Sequence, residues 1–300
     1  MKKNYEERTV KKYKWSKENV IFDGIVWSLL ILIFIVIAYP FYYVVIASFN
    51  DGYDFMKGGI YFFPRKFTLY NYVSLLSQEK WIRAFQVSFF RTVLGTCLTV
   101  LATCLVSYAL SRKELAGGKV YRFLVIFAMY VSGGLIPYYI TLRNLQLLNT
   151  VWVYIIPSML NLFFIMVGIN FFASIPISLI ESAKLDGASE FRIFFSIVRP
   201  VSTLFIATLA LFSAVNQWSA WLDSAYYVNS ESLRTVAYRM LTEINQTLGA
   251  TSTGGSMVNT STALTTQASA MVVSMLPIMC VYPFLQKYFV QGIMIGAVKE

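Results

Sequence analysis

The chain has no histidine, three cysteines in 300 residues, and 15 acidic residues against 25 Lys and Arg. Without histidine it lacks the commonest metal ligand and the side chain that most often serves as a general base near neutrality. Cys97, Cys104 and Cys280 all fall inside apolar runs, the setting of buried, unpaired thiols rather than of a disulfide or a metal cluster. Acids are nearly confined to the segments between apolar runs, so paired carboxylates, a Cys/His or Ser/His arrangement and a metal site cannot be assembled. Charge itself is scarce: 13% of residues, with 57% hydrophobic and 17% aromatic, where soluble domains carry roughly a quarter charged. That composition belongs to a membrane protein.

What is present is organised around apolar runs. Six meet or approach the ~20 residues that cross hydrocarbon as a helix: near 21–49, 84–110, 121–141, 150–173, 201–222 and 269–290. The first is too long for the core of a cleavable signal peptide and lacks an early small-residue cleavage site, so it is expected to remain as a transmembrane helix. Pro40 interrupts the first run and Pro277 and Pro283 the last, which helix bundles tolerate. The net charge of +10 does not indicate nucleic acid, because seven cations (Lys2, Lys3, Arg8, Lys11, Lys12, Lys14, Lys17) precede the first run as a cytoplasmic anchor would.

With the N-terminus inside, the cytoplasmic segments carry sixteen Lys and Arg and the outer segments eight, which predicts both termini inside. The expected organisation is a basic N-terminal segment (1–20), an all-α six-helix membrane domain (21–290) and a C-terminal tail (291–300). Within the domain, 174–200 forms a cytoplasmic loop, and 50–83 and 223–268 form outer loops. The outer loop 50–83 is aromatic-rich. The tract "GATSTGGSMVNTSTALTTQ" in the second outer loop is expected to be flexible or loosely packed. No soluble domain and no internal repeat is evident.

The cytoplasmic loop contains "ESAKLDGASEFRIFFSIVRP" from Glu181 to Pro200. As a helix it places Phe191, Phe194, Phe195 and Val198 on one apolar stripe and leaves Glu181, Lys184, Asp186, Glu190 and Arg192 on a wet face. Ala183, Gly187 and Ala188 let another backbone approach closely, and Gly187 permits a turn between two short helices. A helix-turn-helix peg for a partner's groove and an amphipathic helix on the lipid interface both satisfy the pattern.

This stretch resembles the EAA motif of the membrane subunits of bacterial ABC importers, through Glu181, Ala183, Asp186, Gly187, Ala188, Ile197 and Pro200. It departs from that motif at Ser182, usually Ala, and at Arg199, often Leu. "FTLYNY", "SFFRTVLGT", "SYALSRKELAGGK", "GGLIPYYI" and "YPFLQKYFVQGIMIGAVKE" likewise look like the carbohydrate-uptake permeases of the maltose-importer type, and several look more like its oligosaccharide and polysaccharide branch.

The resemblance implies a type I ABC importer permease in the bacterial cell membrane, with a second homologous permease, a cytoplasmic ABC ATPase dimer, an extracytoplasmic sugar-binding protein, membrane lipid and a glycan as partners. In that family the EAA segment couples ATPase closure to rocking of the helices, and the tail with Gly292 and Gly296 is expected along the ATPase. No G-x-x-x-x-G-K-[ST] loop occurs here, so this subunit is expected to bind no cofactor, and ATP and Mg belong to the partner ATPase.

Sugar recognition calls for aromatic faces and a few amides or hydroxyls. By that chemistry the substrate-path candidates are Asn216, Gln217, Trp218 and Trp221, with Asn161, Asn170 and Tyr138 behind them. Asn216 and Gln217 serve equally as hydrogen-bonding glue between helices. Arg91 is expected to pair with a helix carbonyl, and a neutral oligosaccharide is the expected cargo, with an acidic glycan next. The alternative is an ion-coupled secondary carrier, disfavoured by the lack of acids within the membrane runs.

Overall fold

The computed structural model describes residues 17–252, 264–280 and 283. The basic residues 1–16, most of the Ser/Thr tract (253–263) and the C-terminal tail with Gly292 and Gly296 lie outside the described residues. Among the described residues the chain is helical with no strand. An isolated antiparallel bridge joins Asn50 to Phe67.

Helix α1 (Lys17–Ser48) and helix α4 (Glu79–Ser111) are each long and apolar enough to cross a membrane. Three bent pairs reach the same length. These are α5 (Gly118–Tyr130) with α6 (Leu135–Asn144), bent by 118°; α7 (Trp152–Ile155) and its 3-10 extension with α8 (Leu162–Ala173), bent by 41°; and the segment Glu190–Val201 with α12 (Thr203–Ser219), bent by 85°. The short helices α2 (Gly52–Met56) and α3 (Tyr70–Leu76) punctuate the first outer loop. α9 (Ile177–Leu185), α10 (Glu190–Ile193) and α11 (Arg199–Val201) make up the loop before α12. α13 (Leu222–Tyr227), α14 (Val236–Ser252) and α15 (Leu264–Cys280) follow.

Local chemistry explains the breaks that the apolar pattern does not show. The predicted run 121–141 is not one rod: Gly134 adopts φ 82, ψ 179, a region essentially reserved for glycine, and Pro137 sits in the first turn of α6, where its missing N–H costs nothing. Asn161 ends the 3-10 turn and starts α8 by accepting a hydrogen bond from the Phe164 N–H at 3.1 Å, as a helix N-cap does. The predicted run 201–222 begins at Thr203, after the bend at Ser202. The Ser/Thr tract, expected to be loose, is helical at its described edges, which extend α14 to Ser252 and start α15 at Leu264.

Helix α4 is the spine, packing against both α8 and α12. Small residues bring these helices together, as they do wherever bilayer helices pack without a hydrophobic drive. A Cβ on Gly95 would lie 2.6 Å from the Gln217 side chain, and one on Gly168 would lie 2.7 Å from Ser107 and 2.9 Å from the Phe205 ring. The core next to the Glu181–Pro200 loop joins Tyr108, Phe172, Ile180, Ile193, Phe194, Val198 and Phe205. α1 stands apart, with apolar side chains exposed over most of its circumference. Cys104 is buried, whereas Cys97 and Cys280 are exposed; their apolar runs present them on the outside of this chain instead of in its core.

Candidate functional site

The Glu181–Pro200 segment is two short helices around a sharp turn. α9 ends in a Schellman motif: Gly187 adopts φ +75, its N–H donates to the Lys184 carbonyl, and the Ala188 N–H donates to the Ala183 carbonyl, both at 3.0 Å. That arrangement satisfies the last carbonyls of the helix and requires the left-handed conformation glycine supplies. Ser189 then caps α10, accepting from the Arg192 N–H at 3.4 Å. Beyond α10 the chain passes through a π-turn, Phe194–Val198, ahead of Pro200, which has no N–H to continue an α-helical ladder.

The faces of this segment differ from those its sequence predicts. Phe194 and Val198 are buried, whereas Phe191 is 70% exposed and Phe195 42% exposed, so the expected stripe divides between the chain's own core and its outside. Ala183 is buried in that core and is not available for close approach by a partner. Glu181, Asp186, Gly187 and Pro200 are exposed, and Ala188 and Ile197 are half-buried. No atom comes within 4 Å of a Cβ built on Gly187, and Leu185 beside it is 89% exposed. A bare leucine next to an open glycine turn is a protruding apolar tip.

An ion pair braces the turn. Lys184 Nζ lies 2.8 Å from Glu190 Oε1, Glu190 Oε2 accepts from the Tyr108 hydroxyl at 3.2 Å, and Glu114 stands 3.5 Å from Lys184. The hydrogen bond from Lys184 holds the Glu190 carboxyl below the usual carboxylate range, and the same bond raises the Lys184 ammonium. For Glu190 the stabilisation is therefore present above the unfolded-state value, about 4.3, and is lost as pH falls through the lower folded value; for Lys184 it is lost only as pH rises through its raised value. The difference in melting temperature between the unmodified protein and Glu190→Gln is expected to be constant near neutrality and to shrink toward zero as pH falls below about 4. A difference that does not change with acidification would show that the pair does not brace the turn.

The sequence-predicted substrate-path residues do not converge. Gln217 is buried: its amide donates to Ser158 Oγ at 2.6 Å and its carbonyl oxygen accepts from Arg91 at 3.1 and 3.2 Å. Trp218 is buried and donates to the Ser274 carbonyl at 2.9 Å, tying α12 to α15. Asn161 is spent on its cap, and Asn170 bonds back to the Met166 carbonyl. These four serve helix packing, whereas Asn216, Trp221 and Tyr138 are exposed.

Sequence reasoning missed the network around Arg91. Its guanidinium is 2% exposed and pairs with Asp223 at 2.6 and 3.2 Å, donates to the Ala220 carbonyl at 3.2 Å and lies 4.5 Å from the Tyr154 ring centroid. The expected helix carbonyl is one acceptor among several. Tyr154 in turn donates to the Leu233 carbonyl at 2.8 Å. A lone arginine in one apolar run and an aspartate at the end of another hinted at a pair, since ions in such surroundings find partners; a separation of 132 residues gave no means of matching them.

Beside this network, α13 meets the bend between α5 and α6. The Tyr227 ring lies 5.7 Å from that of Tyr138 and 6.3 Å from that of Tyr139. Next to them a cleft of about 560 Å³ is lined by Ser132, Gly133, Gly134, Tyr138, Thr141 and Tyr227, among others.

A helical membrane chain with a helix-turn-helix protrusion at one end and a tyrosine-lined cleft, and with no metal cluster among the described residues, has the form of a translocation subunit. No family model matches the chain. It is 34% identical over 284 residues to the polygalacturonan/rhamnogalacturonan transport system permease protein YtcP of Bacillus subtilis, covering 94% of this chain and 99% of the relative. It is 35% identical over 283 residues to protein LplC of the same organism, covering 94% and 93%. Its fold matches a subunit in the crystal structure of a bacterial ABC transporter involved in the import of the acidic polysaccharide alginate, with TM-score 0.81, 28% identity, and 92% of this chain and 99% of that one covered. The chain belongs to the permease subunits of sugar ABC transport systems. It is a membrane subunit of an ATP-driven importer and not an enzyme, because ATP hydrolysis resides in a separate subunit. That membership sets aside the ion-coupled carrier.

Proposed function

We propose that this chain is a permease subunit of an importer for fragments of an acidic, uronate-containing polysaccharide. The observation that carries this reading is near-full-length similarity to a permease named for polygalacturonan and rhamnogalacturonan, supported by the fold match to an alginate importer. These two shift the expected cargo from a neutral oligosaccharide to an acidic one.

In this reading the two long helices, the three bent pairs and α15 together make six spans, with both termini cytoplasmic. The chain pairs with a second homologous permease, and the two sit on a cytoplasmic ABC ATPase dimer that binds ATP and Mg. An extracytoplasmic sugar-binding protein delivers the glycan. The Glu181–Pro200 helix-turn-helix, with Leu185 and Phe191 bare on its outer face, seats in the ATPase and transmits its closure as rigid-body rocking of the helices.

Purification of the tagged chain from its native membrane in mild detergent tests the assembly. An ABC ATPase and a second permease are expected to co-purify, and oligogalacturonides or alginate oligosaccharides, with the binding protein, are expected to stimulate hydrolysis. Recovery of the chain alone, without nucleotide hydrolysis in reconstituted vesicles, would refute the assembly. Stimulation by neutral oligosaccharides only would refute the acidic cargo.

A further inference from the structure

We propose that the cleft at the α5–α6 bend is a uronate subsite, in which Tyr138, Tyr139 and Tyr227 present rings to a sugar face and Arg143 pairs with its carboxylate. This inference rests on the reading above and assigns a place on this chain where the acidic sugar is held.

Three observations carry it. The cleft is built from sugar-binding chemistry: the Ser132 and Thr141 hydroxyls, the open backbone of Gly133 and Gly134, and tyrosine rings with exposed faces, Tyr138 and Tyr139 on α6 and Tyr227 on α13. The groove of about 910 Å³ between α1 and α15 contrasts with it, being walled by residues such as Phe41, Leu69, Val272 and Met275, which suit an acyl chain or a helix but offer a polyol few partners.

The second observation is a cation without a counter-ion. Arg65, Arg83, Arg91, Arg234 and Arg239 each carry an acidic partner. Arg143 is exposed and has no ion pair among the described residues. It follows Tyr139 by four residues on α6, so the two share a face about one helical turn apart. A guanidinium there can take a carboxylate in a forked, charge-assisted pair while the ring beside it takes the sugar.

The third is that the platform is held rigidly. Asp223, fixed by the buried Arg91, stands one turn before Tyr227 on α13. The Asn149 N–H donates to the Tyr227 carbonyl at 2.9 Å, and Asn149 Oδ1 accepts from the Asn229 and Ser230 N–H groups. Aromatic placement is thus set before any ligand arrives, which lowers the cost of binding.

The test uses the complete transporter in vesicles with its binding protein, and compares free with methyl-esterified oligogalacturonides of equal length. Arg143→Ala is expected to raise the half-saturating concentration of the free acid about tenfold and that of the ester less than about twofold, in keeping with loss of one charge-assisted pair. Arg143→Lys should recover part of the difference. Tyr227→Ala should weaken both forms, and Tyr227→Phe, which keeps the ring, should weaken neither. Equal shifts for acid and ester in Arg143→Ala, or no shift in either, would overturn the uronate subsite while leaving the importer intact. A higher requirement for binding protein, identical with both glycans, would overturn it in favour of a protein-docking face. Failure of the unmodified transporter to respond to either glycan would instead overturn the acidic-cargo reading and the subsite with it.

Discussion

Asp223→Leu is expected to destabilise the protein by about 3–5 kcal/mol, the usual effect of removing one partner from a buried ion pair. The substitution strands the Arg91 guanidinium, 2% exposed, with only the Ala220 carbonyl, Gln217 and the Tyr154 ring around it. Each of these stabilises a cation less than a carboxylate at 2.6 Å does. Because the pair ties α4 to the start of α13, the damage should be concentrated at the outer end of the bundle. Removing both charges, Arg91→Met with Asp223→Leu, should restore most of the loss, since an apolar pair of similar volume avoids burying an unpaired ion. Unfolding of the single and double variants in detergent checks this. A double variant as unstable as the single one would show that the pair is not the organising contact.

Gly187→Trp is expected to leave membrane insertion intact and to lower ATP-driven uptake at least tenfold or to block assembly with the ATPase. Around Gly187 there is open space, so the indole meets nothing in this chain. The backbone, at φ +75, charges a non-glycine residue about 1–2 kcal/mol, too little to unfold a protein of this size. The obstruction falls on the outer face between Leu185 and Phe191, where the partner is proposed to seat. Gly187→Asn separates the two effects, because asparagine tolerates the left-handed conformation and adds little bulk; it should keep most of the uptake. Normal uptake by the Trp variant would sink the coupling assignment.

The two experiments probe opposite ends of one helix. α4 carries Arg91 in the outer network and Tyr108 against Glu190 in the turn. A change seated at the Glu181–Pro200 segment therefore acts on the same spine that holds the α13 platform.

What the sequence by itself determined is the class of protein and the places where chemistry is local. Scarce charge and long apolar runs compel a helical membrane chain, because hydrocarbon leaves the backbone no partner but itself. The turn at Gly187 was legible too, since a Schellman motif is decided within a few residues by the need for a left-handed conformation. Tertiary structure alone decided the rest. Gln217 and Trp218 carry the right chemistry for a glycan, yet the rotation of α12 turns them onto Ser158, Arg91 and the Ser274 carbonyl. Ala183 looked like a contact surface and is core, because α9 is packed from one side only. Arg91 found Asp223, and Tyr227 found Tyr138 and Tyr139, across separations that no local pattern encodes. The physical reason is the same in each case: periodicity fixes which residues share a helix face, and only the packing of helices against one another fixes where that face points.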